Sequence, residues 1–319
     1  MASRTAALGG ASLALAVGYL AARSAMRPAG DLSGFRSAEG ESRYRRAYHD
    51  VLDNWPVPYR ELMVPTRFGD THVVVSGHED AAPLVLFHAT GTSATGWLLN
   101  VGRLSEQHQV FAVDIVGEAG PSHQTALLRD RRDCVDWVGA VLDGLRLERA
   151  SLAGWSFGGW TTLAFVIAQP DRVDRCVLLA PYASLAPYAP AVLLFLKVGP
   201  YLPMGPPGRV ALRMMSPGYR FDQRFAHQFV LGGRYFRAAD PRASVFPRPF
   251  DDEELRSISV PVLLLVGDRE STFDPHKAVD RARQLLPRVE ADVLPGIGHM
   301  VAMEAADVVN EQMLRFLGG

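Results

Sequence analysis

One hexapeptide restricts this chain more than any other: Gly154-Trp155-Ser156-Phe157-Gly158-Gly159. It follows a short strand-like run, Ala150 to Ala153, and opens an apolar stretch that ends at Gln169-Pro170. A serine flanked at both sides by glycine two positions away, after a strand and before a helix, is the pattern of a nucleophile elbow. Such a turn is so tight that only small residues fit two before and two after the serine. Gly154 and Gly158 meet that need. The hydroxyl would stand clear of the sheet edge at a helix N-terminus, where free N–H groups and the helix dipole favour negative charge. A glycine-rich turn with a capping serine reads the same in isolation, so the remainder of the chain has to decide.

A serine hydroxyl needs a base. Of nine histidines, only His299 sits near the C-terminus in a turn (Gly296-Ile297-Gly298-His299), between a strand-like Val293-Leu294 and a helical pattern from Val301 to Leu317. An acid must then accept the other ring N–H. The run Val260 to Val266 reads as a central parallel strand covered on both faces. Beyond its closing Gly267 stand three candidates, Asp268, Glu270 and Asp274. Residue chemistry alone leaves the choice among them open.

The order of these features resembles the α/β-hydrolase superfamily, and more closely its bacterial lid-bearing carboxylesterase-like serine hydrolases. It comprises a strand (Pro83 to Phe87) with a His88-Ala89-Thr90-Gly91 loop, a loop from Asp114 to Gly120, the elbow, Gly267-Asp268-Arg269-Glu270 and Gly298-His299. The likeness spans roughly residues 40–186 and 251–319. It implies that the acid is the third residue after the strand-ending glycine, Glu270. It also implies an oxyanion hole from the backbone N–H groups of Thr90 and Phe157. Ala89 departs from the glycine usual in that loop. The resemblance gives His88 and Asp114 structural roles, and serine at the elbow argues against the aspartate-based dehalogenases and epoxide hydrolases of the fold.

The alternation of strands and helices predicts a mostly parallel central sheet with helices on both faces. Helices are expected over 38–54 and 131–145, with a first hairpin at 62–65 and 71–76. Residues 187–250 interrupt the alternation with proline turns and helical patches, and read as an inserted helical lid between core segments 31–186 and 251–319. Phe195, Leu202, Met204, Met214 and Met215 are candidates there for an acyl pocket. Nine basic side chains against two acidic ones give the insertion a formal +7, in a chain of net charge -1. That asymmetry fits an anionic surface or substrate group, or a solvated face balanced by acids elsewhere. The near-neutral total gives no field for nucleic acid. Cys134 and Cys176 lack metal-ligand spacing, and no cofactor or metal is required.

Residues 1–30 stand apart. Thr5 to Ala22 carries no charge, and eighteen residues at helical rise cover about 27 Å, marginal for a bilayer core. A membrane anchor is the reading preferred over a cleaved signal. Taken together, the sequence predicts a serine hydrolase of a small-molecule carboxylic ester, acting through Ser156, His299 and Glu270. Thioester, lactone, C–C bond or acyl-transfer chemistry would use the same groups. A lyase or isomerase, or a silent binding protein, is the alternative outside hydrolysis.

Overall fold

The computed structural model describes residues 32–190, 192, 208–240 and 243–318. The expected anchor at 1–30 and the candidate residues Phe195, Leu202 and Met204 lie outside them. Among the described residues no helix is long and apolar enough to cross a membrane.

The core is one sheet in which strands β2 (Tyr59–Thr66), β3 (Gly69–Ser76), β4 (Ala82–Phe87), β5 (His108–Val113), β7 (Ala150–Trp155), β8 (Val173–Leu179), β10 (Val262–Gly267) and β11 (Val289–Leu294) lie in the order 11-10-8-7-4-5-3-2. A short β6 (His123–Gln124) pairs with β3. From β5 to β11 every pairing is parallel, while β2 and β3 are antiparallel. The central strands have no polar face. β5, β7 and β10 are buried along their whole length, as expected where helices cover both sides. Each fully buried valine or leucine contributes about 1.5–3 kcal/mol.

The hairpin strands run longer than the apolar pattern predicted: β2 starts at exposed Tyr59, Arg60 and Glu61, which carry no alternation, and β3 starts at buried Gly69 and exposed Asp70. The last helical pattern is broken. A short helix, Val301–Glu304, is separated from the helix Ala306–Gly318 at Ala305.

Helix α1 (Ala38–Leu52) begins where the Ser37 hydroxyl accepts the Gly40 N–H, with Glu39 and Glu41 in its first turn. Its buried face meets helix α6 (Gln223–Tyr235) of the insertion. A separate two-residue ladder joins β1 (Gly34–Phe35) to β9 (Phe236–Arg237). Residues 34–52 are therefore bound to the insertion as well as to the sheet. Of the insertion residues considered for an acyl pocket, Met214 is 64% exposed. It projects from helix α5 (Gly208–Met215) to solvent.

Candidate active site

The turn between β7 and helix α4 (Phe157–Ala168) puts Ser156 at φ 56°, ψ -115°, a backbone region that costs about 1–3 kcal/mol for a non-glycine residue. The surroundings enforce it. A Cβ on Gly154 would lie 2.3 Å from the Gly158 carbonyl oxygen, and one on Gly158 2.2 Å from that of Phe87. Neither position accepts a side chain without moving a strand. Ser156 N–H donates to Leu179 O at 2.9 Å, which fastens the turn to β8.

Ser156 Oγ lies 2.9 Å from His299 Nε2, and His299 Nδ1 lies 2.6 Å from Glu270 Oε2. The three residues are 4%, 4% and 8% exposed. Glu270 Oε1 accepts from the Thr272 N–H at 2.7 Å and the Thr272 hydroxyl at 2.8 Å. Burial pushes the Glu270 carboxyl up, but the His299 charge and hydrogen bond, with the two donations from Thr272, outweigh it and hold it below its ordinary value. Asp268 and Asp274 are spent elsewhere. Asp268 accepts the Gly296 N–H at 2.7 Å. Asp274 caps the helix Pro275–Leu285, with proline at its first position.

The histidine loop is clamped by residues the sequence did not single out. Glu304 accepts from Gly298 N–H (3.0 Å), Met300 N–H (3.1 Å) and the Ser216 hydroxyl (2.5 Å). Trp155, inside the elbow, donates its indole N–H to His299 O at 3.0 Å. His299 N–H donates to Met215 O at 2.9 Å. The insertion thus touches the histidine through the Met215 backbone, and the Met215 side chain packs on the main core.

Opposite lies the loop after β4. Among the described residues the Thr90 and Phe157 N–H groups donate to no protein acceptor. The Ala89 carbonyl accepts from Thr92 N–H (3.1 Å), the Thr92 hydroxyl (2.7 Å) and His88 Nδ1 (2.8 Å). His88 Nε2 accepts the Ile115 N–H at 2.9 Å, so this buried ring is neutral with its proton on Nδ1. Burial also pulls its pKa down. Gln228 of α6 donates to Ser93 Oγ and Tyr44 OH and accepts from Thr95 Oγ1, which braces the far end of the loop.

Asp114 is a brace. It accepts from Ala94 N–H (2.8 Å) and the Tyr48 hydroxyl (2.7 Å), and it contacts His72 Nδ1 at 2.8 Å. His72 Nε2 meets Glu61 at 2.8 Å. Burial pulls the His72 pKa down, but Asp114 and Glu61 together raise it above the ordinary value. The charged imidazolium therefore adds stability that is complete below the unfolded pKa near 6.5 and lost as pH rises through the higher folded value. His72→Gln should lower Tm more at pH 5.5 than at pH 9. Equal losses at both pH values would remove the ionic part of this brace.

A strained serine joined through histidine to a buried carboxylate, at the C-terminal ends of parallel strands, places the chain among known proteins. A family model described as Alpha/beta hydrolase family matches residues 84–312. The chain belongs to the alpha/beta hydrolase family. Among alpha/beta hydrolases it is 37% identical over 278 residues to a Bacillus subtilis (strain 168) protein named Uncharacterized carboxylesterase nap, covering 86% of this chain and 92% of that one. It is 34% identical over 294 residues to Carboxylesterase YbfK of the same organism, covering 91% and 98%. The crystal structure of naproxen esterase (carboxylesterase NP) from Bacillus subtilis superposes with a TM-score of 0.83 at 35% identity, over 88% of this chain and 99% of that one.

Proposed function

We propose that this alpha/beta hydrolase cleaves a small-molecule carboxylic ester through an acyl-enzyme, with Ser156 as nucleophile, His299 as base and acid, and Glu270 as the acid that orients it. The observation that carries the reading is the unbroken hydrogen-bond chain from Ser156 Oγ through both nitrogens of His299 to Glu270. Relatives named carboxylesterases support ester as the bond class.

His299 Nε2 takes the hydroxyl proton as Oγ attacks the ester carbonyl. The carbonyl oxygen gains negative charge and is met by the N–H groups of Thr90 and Phe157, the latter at the positive end of α4. Collapse expels the alcohol, which takes the proton from His299. Water then adds to the acyl-serine by the same route, and the acid leaves. Glu270 favours the imidazolium formed in both halves and fixes Nδ1 as the donor.

Residues 187–250 act as a lid that sorts substrates. Its described parts reach the site through Met215 O on His299, the Ser216 hydroxyl on Glu304, Gln228 on the Thr90 loop and the Phe229 ring beside Gly91. On the other flank, Tyr182 N–H donates to Ser156 O at 3.1 Å, and half-buried Tyr182 and Tyr188 pack ring to ring at 4.7 Å. Aromatic walls suit an aryl-bearing ester, in keeping with the name naproxen esterase of one relative.

The test is a panel of nitrophenyl esters with alkyl and aryl acyl groups, followed by mass spectrometry of quenched enzyme. The expected result is a burst of one nitrophenol per chain and an acyl adduct on Ser156. Phe229→Ala should reorder the panel while turnover of the acetate stays near wild type. An adduct on another residue, or ester turnover with no adduct at any time, would overturn the mechanism.

A further inference from the structure

Glu118 lies in the loop that follows β5, and its Oε2 accepts the Gly91 N–H at 2.9 Å. Gly91 immediately follows Thr90, at φ 76°. Two peptide planes meet at Thr90. The one before it is held at its carbonyl, Ala89 O, by the donors from Thr92 and His88. The one after it is held at Gly91 N–H, by Glu118. Each plane is rigid, so the two tethers together fix the torsions of Thr90. Glycine restricts its own backbone least of all residues, and a Cβ at Gly91 would come no closer than 3.4 Å to Phe229. Nothing but the carboxyl among the described residues holds that peptide from turning.

The position is a costly one for a carboxyl. Burial pushes its pKa up to about 7, and the Gly91 donor offsets only part of that. The titratable groups that sense it are Tyr44 on α1 and Tyr182 after β8. α6 brings Phe229 to the same place, and among the described residues no cation acts on Glu118. The carboxyl is therefore a poor contributor to stability whose one donor among the described residues is the tether beside Thr90.

We propose that Glu118 is a positioning residue for the hydrolysis, clamping the peptide after Thr90 so that the Thr90 N–H stays aimed at the forming oxyanion. The inference rests on the ester-hydrolase reading above. Such a donor is used in the transition state far more than in the ground state, so losing its aim lowers kcat and leaves KM nearly alone. A misplacement of an ångström costs roughly a hundredfold.

The experiment compares Glu118→Met, Glu118→Gln and Ser156→Ala with the wild-type full chain on one nitrophenyl ester. Methionine keeps the volume and removes the acceptor and the charge. Glutamine keeps an acceptor oxygen without the charge. The expected result is a Met variant at least as stable to heat as wild type, with kcat about 10–100-fold lower and KM within about threefold. Its labelling by a fluorophosphonate should slow by a similar factor, because the phosphonyl oxygen meets the same donors. The Gln variant should keep kcat within about fivefold. If the Met variant does not fold, Glu118→Ala is read by the same criteria. A Met or Ala variant with kcat within twofold of wild type, a loss confined to KM, or a Gln variant as slow as the Met variant would each overturn the proposal. Ser156→Ala separates the two failures. If it still turns over, the hydrolase reading falls. If it is inactive while the Glu118 variants are fast, only the clamp falls.

Discussion

Ser156→Ala will fold like the wild type and lose at least about 10⁴-fold in kcat on a carboxylic ester, with no phosphonate adduct at residue 156. The fold tolerates the change because alanine has the same Cβ and faces the same positive φ that serine already accepts. The glycines that permit the turn are untouched, and the Ser156 N–H to Leu179 bond belongs to the backbone. What disappears is the Oγ that meets His299 Nε2. A residual rate over water should persist, since the donors at Thr90 and Phe157 do not depend on the nucleophile. The check is kcat beside circular dichroism and Tm. A folded variant with near wild-type turnover would sink the mechanism.

Glu270→Gln should be nearly as damaging, by about 10³–10⁴-fold in kcat, for a reason that lies in proton placement. Glu270 Oε1 takes both donors of Thr272, so the amide of glutamine will leave its oxygen there and turn its NH₂ toward His299. Nδ1 must then accept. The imidazole proton moves to Nε2, the atom that has to receive the serine proton, and the base is lost. Asp268→Asn and Asp274→Asn disturb only the Gly296 turn and a helix cap, and should cost less than tenfold. Measured kcat values for the three variants decide. A crippled Asp268 or Asp274 variant beside an active Gln variant would reassign the acid.

The sheet was readable from sequence because its information is local. Short apolar runs bounded by turn residues, such as Val262 to Val266 before Gly267, fit strands covered on both faces, and glycines two residues either side of a serine between strand and helix fit one tight turn. Ser156, His299 and the three acids after Gly267 stand out for the same reason, each a few residues past a strand-like run. The choice among three acids was not local. It depends on which carboxylates are consumed by Gly296 and Lys277 N–H groups, and loop residues give no periodic signal of that. Glu118, Gln228 and Glu304 were missed on similar grounds. Glu118 meets a partner 27 residues away and Gln228 one 135 away. Glu304 was hidden inside a run that looks like one uninterrupted helix. Of the apolar insertion residues, Met214 turned out exposed, because a methionine on a helix surface has the same composition signal as one in a pocket wall.

The ladder between Gly34-Phe35 and Phe236-Arg237 has a mechanical consequence. It moors the start of the described chain to the insertion, directly after the α6 helix whose Phe229 borders the Thr90-Gly91 loop. Whatever holds residues 1–30 would pull on this side of the molecule. A load applied there reaches the Thr90-Gly91 loop through two backbone pairs and one helix, without crossing the nine-stranded sheet. A pull on Gly34 and Phe35 would be felt first at Phe236 and in α6, on the side of the molecule that carries Phe229.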